Sequence, residues 1–262
     1  MQSERIEVIK MAETFSLALT NSLDEMQTAL PMDFNKARFV TNAVALLNDN
    51  ECLQEFAKKN GLTQIKAGML KGAVLDLDAS NNEFYLVAYG NKLNFMPSYK
   101  GAIKTCKKYS IRPIKDIYAK IVKEGDEFEE SIINGEPSIT FKPKAFNDGK
   151  VIGAFAVCLY KDGGMVYDTM SLADLENTRK SSKASNSPAW KNFTTEMYKK
   201  TVLHRLCKHI EIDFSSYDQR TYFNEGMEIE TDVKEIVKND IEENANSVPF
   251  PEVVDAECEV IE

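Results

Sequence analysis

Four lysines lie close together in SYKGAIKTCKKY, residues 98–109 of a 262-residue chain whose formal net charge is −9. In a helix, with about 100° per residue, the tyrosine, alanine, isoleucine and cysteine side chains of this stretch share one arc. The adjacent arc holds no carboxylate and carries Lys100, Lys104, Lys107 and Lys108. Like charges this close destabilise an isolated helix, and a bound polyanion removes that cost. The spacing therefore indicates a face that binds nucleic acid, with a solvated lysine-rich helix as the alternative.

A second basic helix is predicted over WKNFTTEMYKKTVLHRLCKHI, residues 190–210. Its apolar face consists of Val202, Leu203, Leu206, Cys207 and Ile210, and the opposite side carries Lys200, His204 and Lys208 at every fourth residue, beside Arg205. Phe193 and Met197 lie under this basic row, where bases would stack next to phosphate contacts. Lys199 lies in an otherwise apolar arc, so it either snorkels or faces a groove.

Motifs for covalent chemistry are missing from the sequence. There is no GxxxxGK[ST] loop and no GxGxxG, so the use of ATP or a dinucleotide has no support. The two histidines, His204 and His209, lie outside any HExxH pattern. The acidic stretch EGDEFEE, residues 124–130, is either a charged turn between strands or, as a weaker alternative, a metal-binding nuclease cluster. We therefore expect a protein that is not an enzyme and needs no cofactor or metal.

The charge is unevenly distributed along the chain. Residues 211–262 contain 16 acidic and 3 basic residues, whereas residues 99–210 contain 20 basic and 13 acidic ones. A basic body with an acidic tail is typical of a nucleic-acid-binding protein whose tail contacts protein partners or shields the body. A tail that merely increases solubility is the alternative.

Cysteine spacing and hydropathy indicate the cellular compartment. The five cysteines are spread along the chain with no CxxC pair, which argues against disulfides and structural zinc and fits a reducing cytoplasm. No apolar run approaches the ~20 residues that span a bilayer. The N-terminus MQSERIEVIK lacks the apolar core of a signal peptide. We expect a soluble, intracellular protein without a membrane partner.

Local patterns predict an N-terminal helical arm (1–32), a core of helices and strands (33–212) and an acidic, mobile tail (213–262). Further helices are predicted over 33–49, with Asp33 as the cap, over 61–77, and from a Ser-x-x-Asp box at Ser171. Hairpins are predicted over 83–97, around a Gly-Asn turn, and over 151–171, around Asp-Gly-Gly, with short strands in 111–126 and 136–146. Trp190, the one tryptophan, is either a core anchor or a stacking residue.

Four segments together resemble the RecT family of phage and prophage recombinases. They are GNKLNFMPSYKGAIKTCKKY, IKDIYAKIVKEGDEFE, GAFAVCLYKDGG and SPAWKNFTTEMYKKTVLHRLCKHI, which occur in this order within residues 33–210. The resemblance implies an ATP-independent protein that binds single-stranded DNA, oligomerises on it as rings or helical filaments and pairs it with a complementary strand in recombination and repair. It also implies an α+β fold like that of the lambda Red beta protein and the eukaryotic annealing proteins, with a small curved antiparallel sheet packed with helices.

The family's basic groove implies a set of DNA-binding residues here. They are Lys92, Lys100, Lys104, Lys107, Lys108, Arg112, Lys191, Phe193, Met197, Lys199, Lys200, Arg205 and Lys208. Both basic helices are expected to converge on one cleft. The implied partners are further copies of the chain, a 5′-to-3′ exonuclease and a host single-strand-binding protein, in the cytoplasm of a bacterial host. Two alternatives remain open, namely a passive single-strand-binding protein and a metal-dependent nuclease.

Overall fold

The computed structural model of this protein describes residues 2–182 and 185–228. This part of the chain is an α+β fold, as the sequence predicts. Its α-helices are α1 Gln2–Glu25, α2 Lys36–Asp49, α3 Glu51–Asn60, α4 Thr63–Val74, α5 Tyr99–Tyr109, α6 Leu172–Ser181, α7 Pro188–Asn192, α8 Thr194–His209 and α9 Tyr217–Glu228. Its strands are β1 Phe84–Tyr89, β2 Lys92–Pro97, β3 Ile114–Lys123, β4 Glu127–Ile133, β5 Glu136–Lys142, β6 Val151–Tyr160 and β7 Met165–Ser171.

The strands form three small antiparallel sheets instead of one. β1 pairs with β2, β4 pairs with β5, and the third sheet has the order β3-β6-β7. Both predicted hairpins are present, and β4 is a strand where the sequence suggested a charged turn. The Ser-x-x-Asp box is also present, because Ser171 and Asp174 cap the first turn of α6 reciprocally.

The predicted N-terminal arm is part of the folded core. α1 packs against α2 and α4, and Phe15, Leu19 and Leu23, spaced by four residues, are fully buried. The cap of α2 is Asn35 and not Asp33, since the Asn35 side chain accepts a hydrogen bond from the Arg38 amide at 2.9 Å. The helix therefore starts two residues later than the predicted cap implies.

The β1-β2 hairpin lies unusually close to α4. Gly68 and Gly72 fall on the same face of this helix, and a Cβ at either position would lie 2.5 Å from Leu86 or 2.6 Å from Phe84. Only glycine leaves room for these two strand side chains to press against the helix backbone. The hairpin is thereby held on a helical support rather than projecting freely.

The central strand β6 is buried on both faces, which explains its continuously apolar sequence. Ala154, Ala156 and Cys158 point to the side covered by α8, where small residues allow close approach. Phe155 and Val157 point to the other side. There the rings of Phe128 and Phe141, from the β4-β5 hairpin, lie 5.1 and 5.0 Å from the Phe155 ring.

The two predicted basic helices are in contact. The Sγ of Cys106 in α5 lies 4.0 Å from the carbonyl oxygen of Cys207 in α8. The segments that follow the helices run antiparallel, and Asp213 N–H donates to the Tyr109 carbonyl at 2.9 Å. Segments about one hundred residues apart in sequence are therefore joined side by side.

The long helix predicted over 190–210 is divided into α7 and α8 at Phe193. Trp190 in α7 is 4% exposed, and its ring makes an edge contact with the Tyr198 ring at 6.1 Å between centroids. The Arg179 guanidinium lies 5.6 Å from the Trp190 ring. The interpretation of Trp190 as a core anchor is confirmed.

α9 lies within the segment predicted to be a mobile tail. Phe223 and Met227 are buried, and the Gln219 side chain donates to the Val74 carbonyl at 3.1 Å. Folded structure therefore continues to Glu228, and residues 229–262, which hold most of the predicted tail, lie outside the described residues. None of the described helices has the length and apolarity that a membrane crossing requires.

Candidate nucleic-acid interface

The start of α5 is fixed by its capping residue. The Ser98 hydroxyl accepts hydrogen bonds from the amides of Lys100 and Gly101, at 3.1 and 3.2 Å, as the sequence predicts. Ala102 and Cys106 are fully buried below the helix. This arrangement directs the lysine-bearing side of α5 away from the core.

Carboxylates from other elements neutralise most of that side. The ion pairs are Lys104 with Glu83 at 2.9 Å, Lys107 with Asp116 at 3.1 Å and Lys108 with Asp76 at 2.7 Å. The hydrogen bond from Lys107 is the main reason that the pKa of Asp116 is lowered. Lys100 is exposed and forms no ion pair with a described residue. α5 therefore presents one unpaired ammonium group instead of the four that the helix sequence indicates.

Arg112 is also engaged within the fold. Its guanidinium donates to both carboxylate oxygens of Asp162, at 3.0 and 2.7 Å, and lies 4.0 Å from the centre of the Tyr160 ring. The hydrogen bond from Arg112 lowers the pKa of Asp162. These contacts hold the turn between β6 and β7 against the start of β3.

On α8, fewer basic side chains are exposed and unpaired than the sequence predicts. His204 is buried, with 6% of its surface exposed. Arg205 Nε lies 3.0 Å from Oδ2 of Asp168 in β7, a carboxylate that is 9% exposed. Lys199 pairs with Glu196 one turn earlier. Lys208 is exposed and Lys200 is half-buried.

The two basic helices meet through their apolar faces, and their cations are spread over a broad surface. Lys107 pairs with β3 and Arg205 pairs with β7, the two edge strands of the three-stranded sheet. Two strand spacings, about 10 Å, separate these edges. Lys104 and Lys108 instead point to the end of α4, where Asp76 lies. Tertiary carboxylates from three different parts of the fold therefore pair with these cations, and the convergence of both helices on one cleft stays a prediction.

Three of the predicted lysines are exposed and have no ion pair within the described part of the chain, namely Lys92, Lys100 and Lys191. Phe193, between α7 and α8, is 63% exposed, and Met197 is half-buried against the core. Two exposed aromatic residues of the same hairpin as Lys92, Tyr85 and Tyr89, were not among the predicted site residues. Their alternation in FYLVAY was the signal that would have identified them.

The acidic segment 124–130 forms hydrogen bonds and an ion pair within the fold. Asp126 accepts hydrogen bonds from the amides of Lys123 and Lys144, at 2.8 and 2.9 Å, and these bonds lower its pKa. Glu127 pairs with Lys142 across the β4-β5 hairpin at 2.9 Å. Among the described residues, no group of three or more histidine, cysteine or acidic side chains is arranged to hold a metal ion. The nuclease alternative gains no support from this arrangement.

Two buried cysteines, Cys106 and Cys158, are poorly suited to nucleophilic chemistry. A hydrogen bond with Cys207, together with burial, raises the pKa of the Cys106 thiol. Burial raises the pKa of Cys158 to about 11. Thiols with raised pKa values stay protonated at neutral pH, and the protonated form is a poor nucleophile.

Comparison with known proteins assigns the chain to a family. Residues 37–239 match the RecT family, and this range covers most of the chain and all of the predicted DNA-binding residues. The chain belongs to the RecT family. A relative, Protein RecT of Escherichia coli (strain K12), is 32% identical over 136 residues, which are 49% of this chain and 49% of that protein. The chain thus spans about half the length of the curated relative that it matches.

The RecT-family match begins just inside α2 and includes every strand. It therefore covers both basic helices, the three sheets and α9, whereas α1 precedes it. The family identified from the four sequence segments is confirmed.

Proposed function

We propose that this RecT-family chain is a recombination protein that binds single-stranded DNA and anneals it to a complementary strand without ATP. The observation that carries the proposal is the family match over residues 37–239. The surface described above adds support, since the exposed Lys191 lies two residues from the exposed Phe193 in the sequence. Annealing requires no covalent step and no metal ion, and the described residues contain no group of side chains arranged to hold one.

In this mechanism the protein neutralises the phosphates of a first strand and leaves its base edges open to a second. Lys92, Lys100 and Lys191 contribute most per residue, because no carboxylate within the described residues already shares their charge. Arg205 and Lys199 contribute less, since each is paired within the chain. Contacts to phosphates carry no base information, so binding tolerates any sequence.

Assembly is the second part of the proposal. One protomer contacts only a few nucleotides, so a stable annealed intermediate requires neighbouring protomers, arranged as a ring or a helical filament. The helical lobe of residues 33–77, which includes α2, α3 and α4, is proposed as the contact surface between copies. A 5′-to-3′ exonuclease and a host single-strand-binding protein, in the cytoplasm of a bacterial host, are proposed as partners of the acidic C-terminal residues.

The test is an annealing assay with two complementary, fluorescently labelled oligonucleotides. We expect the protein to accelerate pairing without ATP, and log-log plots of single-strand affinity against salt to fall by about 0.7 per phosphate contact. A passive single-strand-binding protein would bind without accelerating pairing. A nuclease would shorten the labelled strand when magnesium is added. A flat salt dependence would contradict the electrostatic part of the proposal.

The K200A/R205A variant separates sequence-tolerant binding from base recognition. Its affinity should fall by a similar factor for unrelated oligonucleotides, because both side chains are proposed to contact phosphates. Light scattering of the wild-type protein with complementary strands should show assemblies larger than a monomer. Monomers alone would contradict the assembly proposal.

A further inference from the structure

The outer face of the β1-β2 hairpin combines exposed aromatic rings with positive charge. Strand alternation places Tyr85, Val87 and Tyr89 on this face, because Phe84 and Leu86 point inward to α4. Tyr85 and Tyr89 are 48% and 41% exposed. Neither ring nor hydroxyl contacts another described side chain through a ring stack or a hydrogen bond. The two tyrosines are therefore available to a ligand.

We propose that this face binds unpaired bases of a single DNA strand, with Tyr85 and Tyr89 stacking on bases and Lys92 neutralising a phosphate. The inference rests on the proposed annealing function and assigns to it a base-contacting surface separate from the basic helices. Aromatic side chains beside cations are the usual means by which proteins hold single strands without regard to sequence. The four-residue separation of the tyrosines corresponds to about 13 Å along the strand, or about four nucleotides at stacked spacing.

Charge favours a polyanion on this face. Tyr89 lies directly opposite Lys92 in the strand register, and Tyr85 lies opposite Met96. The six residues of the face contain one lysine and no carboxylate: Tyr85, Val87, Tyr89, Lys92, Asn94 and Met96. Lys100 follows closely in α5 and, like Lys92, has no ion pair with a described residue. The tyrosine face itself therefore carries a lysine without an ion pair to a described residue and no negative charge.

The hairpin is held rigidly enough to present the rings in fixed positions. Its inner face is pressed onto α4 at Gly68 and Gly72. Its turn is held by Gln64, whose amide donates to the Asn91 carbonyl at 3.0 Å and accepts from the Leu93 amide at 2.9 Å. A surface whose backbone is already ordered loses little conformational entropy when a ligand binds.

The test compares the affinity for an oligothymidylate with that for an oligonucleotide of equal length made entirely of abasic residues. The Y85A/Y89A variant should bind oligothymidylate at least about 25-fold more weakly than wild type, since each stacked base contributes a factor of about five or more. Its affinity for the abasic strand should change less than about twofold, because that strand has no bases to stack. Y85F/Y89F keeps both rings and should bind both strands like wild type. K92A should lower the salt slope by about 0.7 on both strands.

Y217A is the matched control, because Tyr217 in α9 is 81% exposed and lies outside this face. If Y85A/Y89A binds oligothymidylate as Y217A does while wild type still anneals DNA, the base-contacting surface is wrong and the proposed function stands. If wild type binds neither strand, both proposals fail. If Y85A/Y89A instead changes the sedimentation of the protein in the absence of DNA, the face contacts a second copy and the inference is overturned.

Discussion

Replacing Lys104 is expected to destabilise the fold, whereas replacing Lys100, one turn earlier, is expected to change DNA binding. Lys104 Nζ lies 2.9 Å from the Glu83 carboxylate and also donates to the Asp76 carbonyl. Since the Glu83 side chain is 13% exposed, K104A leaves a nearly buried carboxylate without this donor. A hydrogen bond to a charged group contributes roughly 1.5–3 kcal/mol, so we expect a loss of about 2 kcal/mol. In a folded part of this size, that loss lowers Tm by about 4–8 °C.

Thermal unfolding and salt titrations of oligothymidylate binding separate the two variants. K100A should retain the wild-type Tm to within about 1 °C, because Lys100 is exposed and outside any described ion pair, and should lower the salt slope by about 0.7. Glu83→Gln removes the buried charge, so E83Q/K104A should be more stable than the sum of the single losses predicts. An unchanged Tm for K104A would show that its ion pair does not stabilise the fold, and a large Tm loss for K100A would show that Lys100 has a structural role.

Three further outcomes are expected. Gly72→Ala should lower the free energy of unfolding in urea by about 1–2 kcal/mol, because the new Cβ meets the Phe84 ring at 2.6 Å, while a serine at the exposed Ala67 should have little effect. The pKa of Asp126 is depressed in the folded state, so its stabilising contribution is complete above the unfolded pKa of about 4 and is lost as the pH falls through the folded pKa. Tm should therefore fall below pH 4, and Asp126→Asn should have a lower Tm at pH 7 and a smaller acid-induced loss. Acrylamide should quench Trp190 weakly until the protein unfolds, and saturating single-stranded DNA should leave its emission maximum in place, since the ring is 4% exposed.

Local sequence signals predicted much of the fold. The Gly-Asn turn between alternating aromatic residues located the β1-β2 hairpin, and the Ser-x-x-Asp box located the start of α6. These features depend on residues a few positions apart, which a single sequence displays directly. β4 was missed because its glutamates suggested a solvated turn, although Phe128 on the same strand packs on Phe155. α9 was missed although Gln219, Phe223 and Met227 are buried at every fourth position, because the first of them is a glutamine and adds no apolar signal.

The candidate site was less predictable than the fold, because it depends on contacts between elements that are far apart in the sequence. The arc of lysines on α5 follows from helical geometry, but the carboxylates that neutralise it come from α4, β1 and β3 and their connections. Nothing in residues 98–109 reveals these partners. The burial of His204 has the same origin, since neighbouring elements cover a side of α8 that an isolated helix would expose. The role of each predicted residue in DNA binding stays a prediction.

The packing of α9 against the core determines where the chain can be truncated or fused to another protein. Phe223 and Met227 fill space in the core, and Gly226 lies so close to Pro97 that a Cβ there would be 2.3 Å from the proline ring. Truncation near residue 211, where the acidic segment begins, would remove α9 and its packing against β2. A stop codon or linker placed after Glu228 keeps the contacts of this helix with the rest of the described chain and still removes most of the acidic residues of segment 211–262.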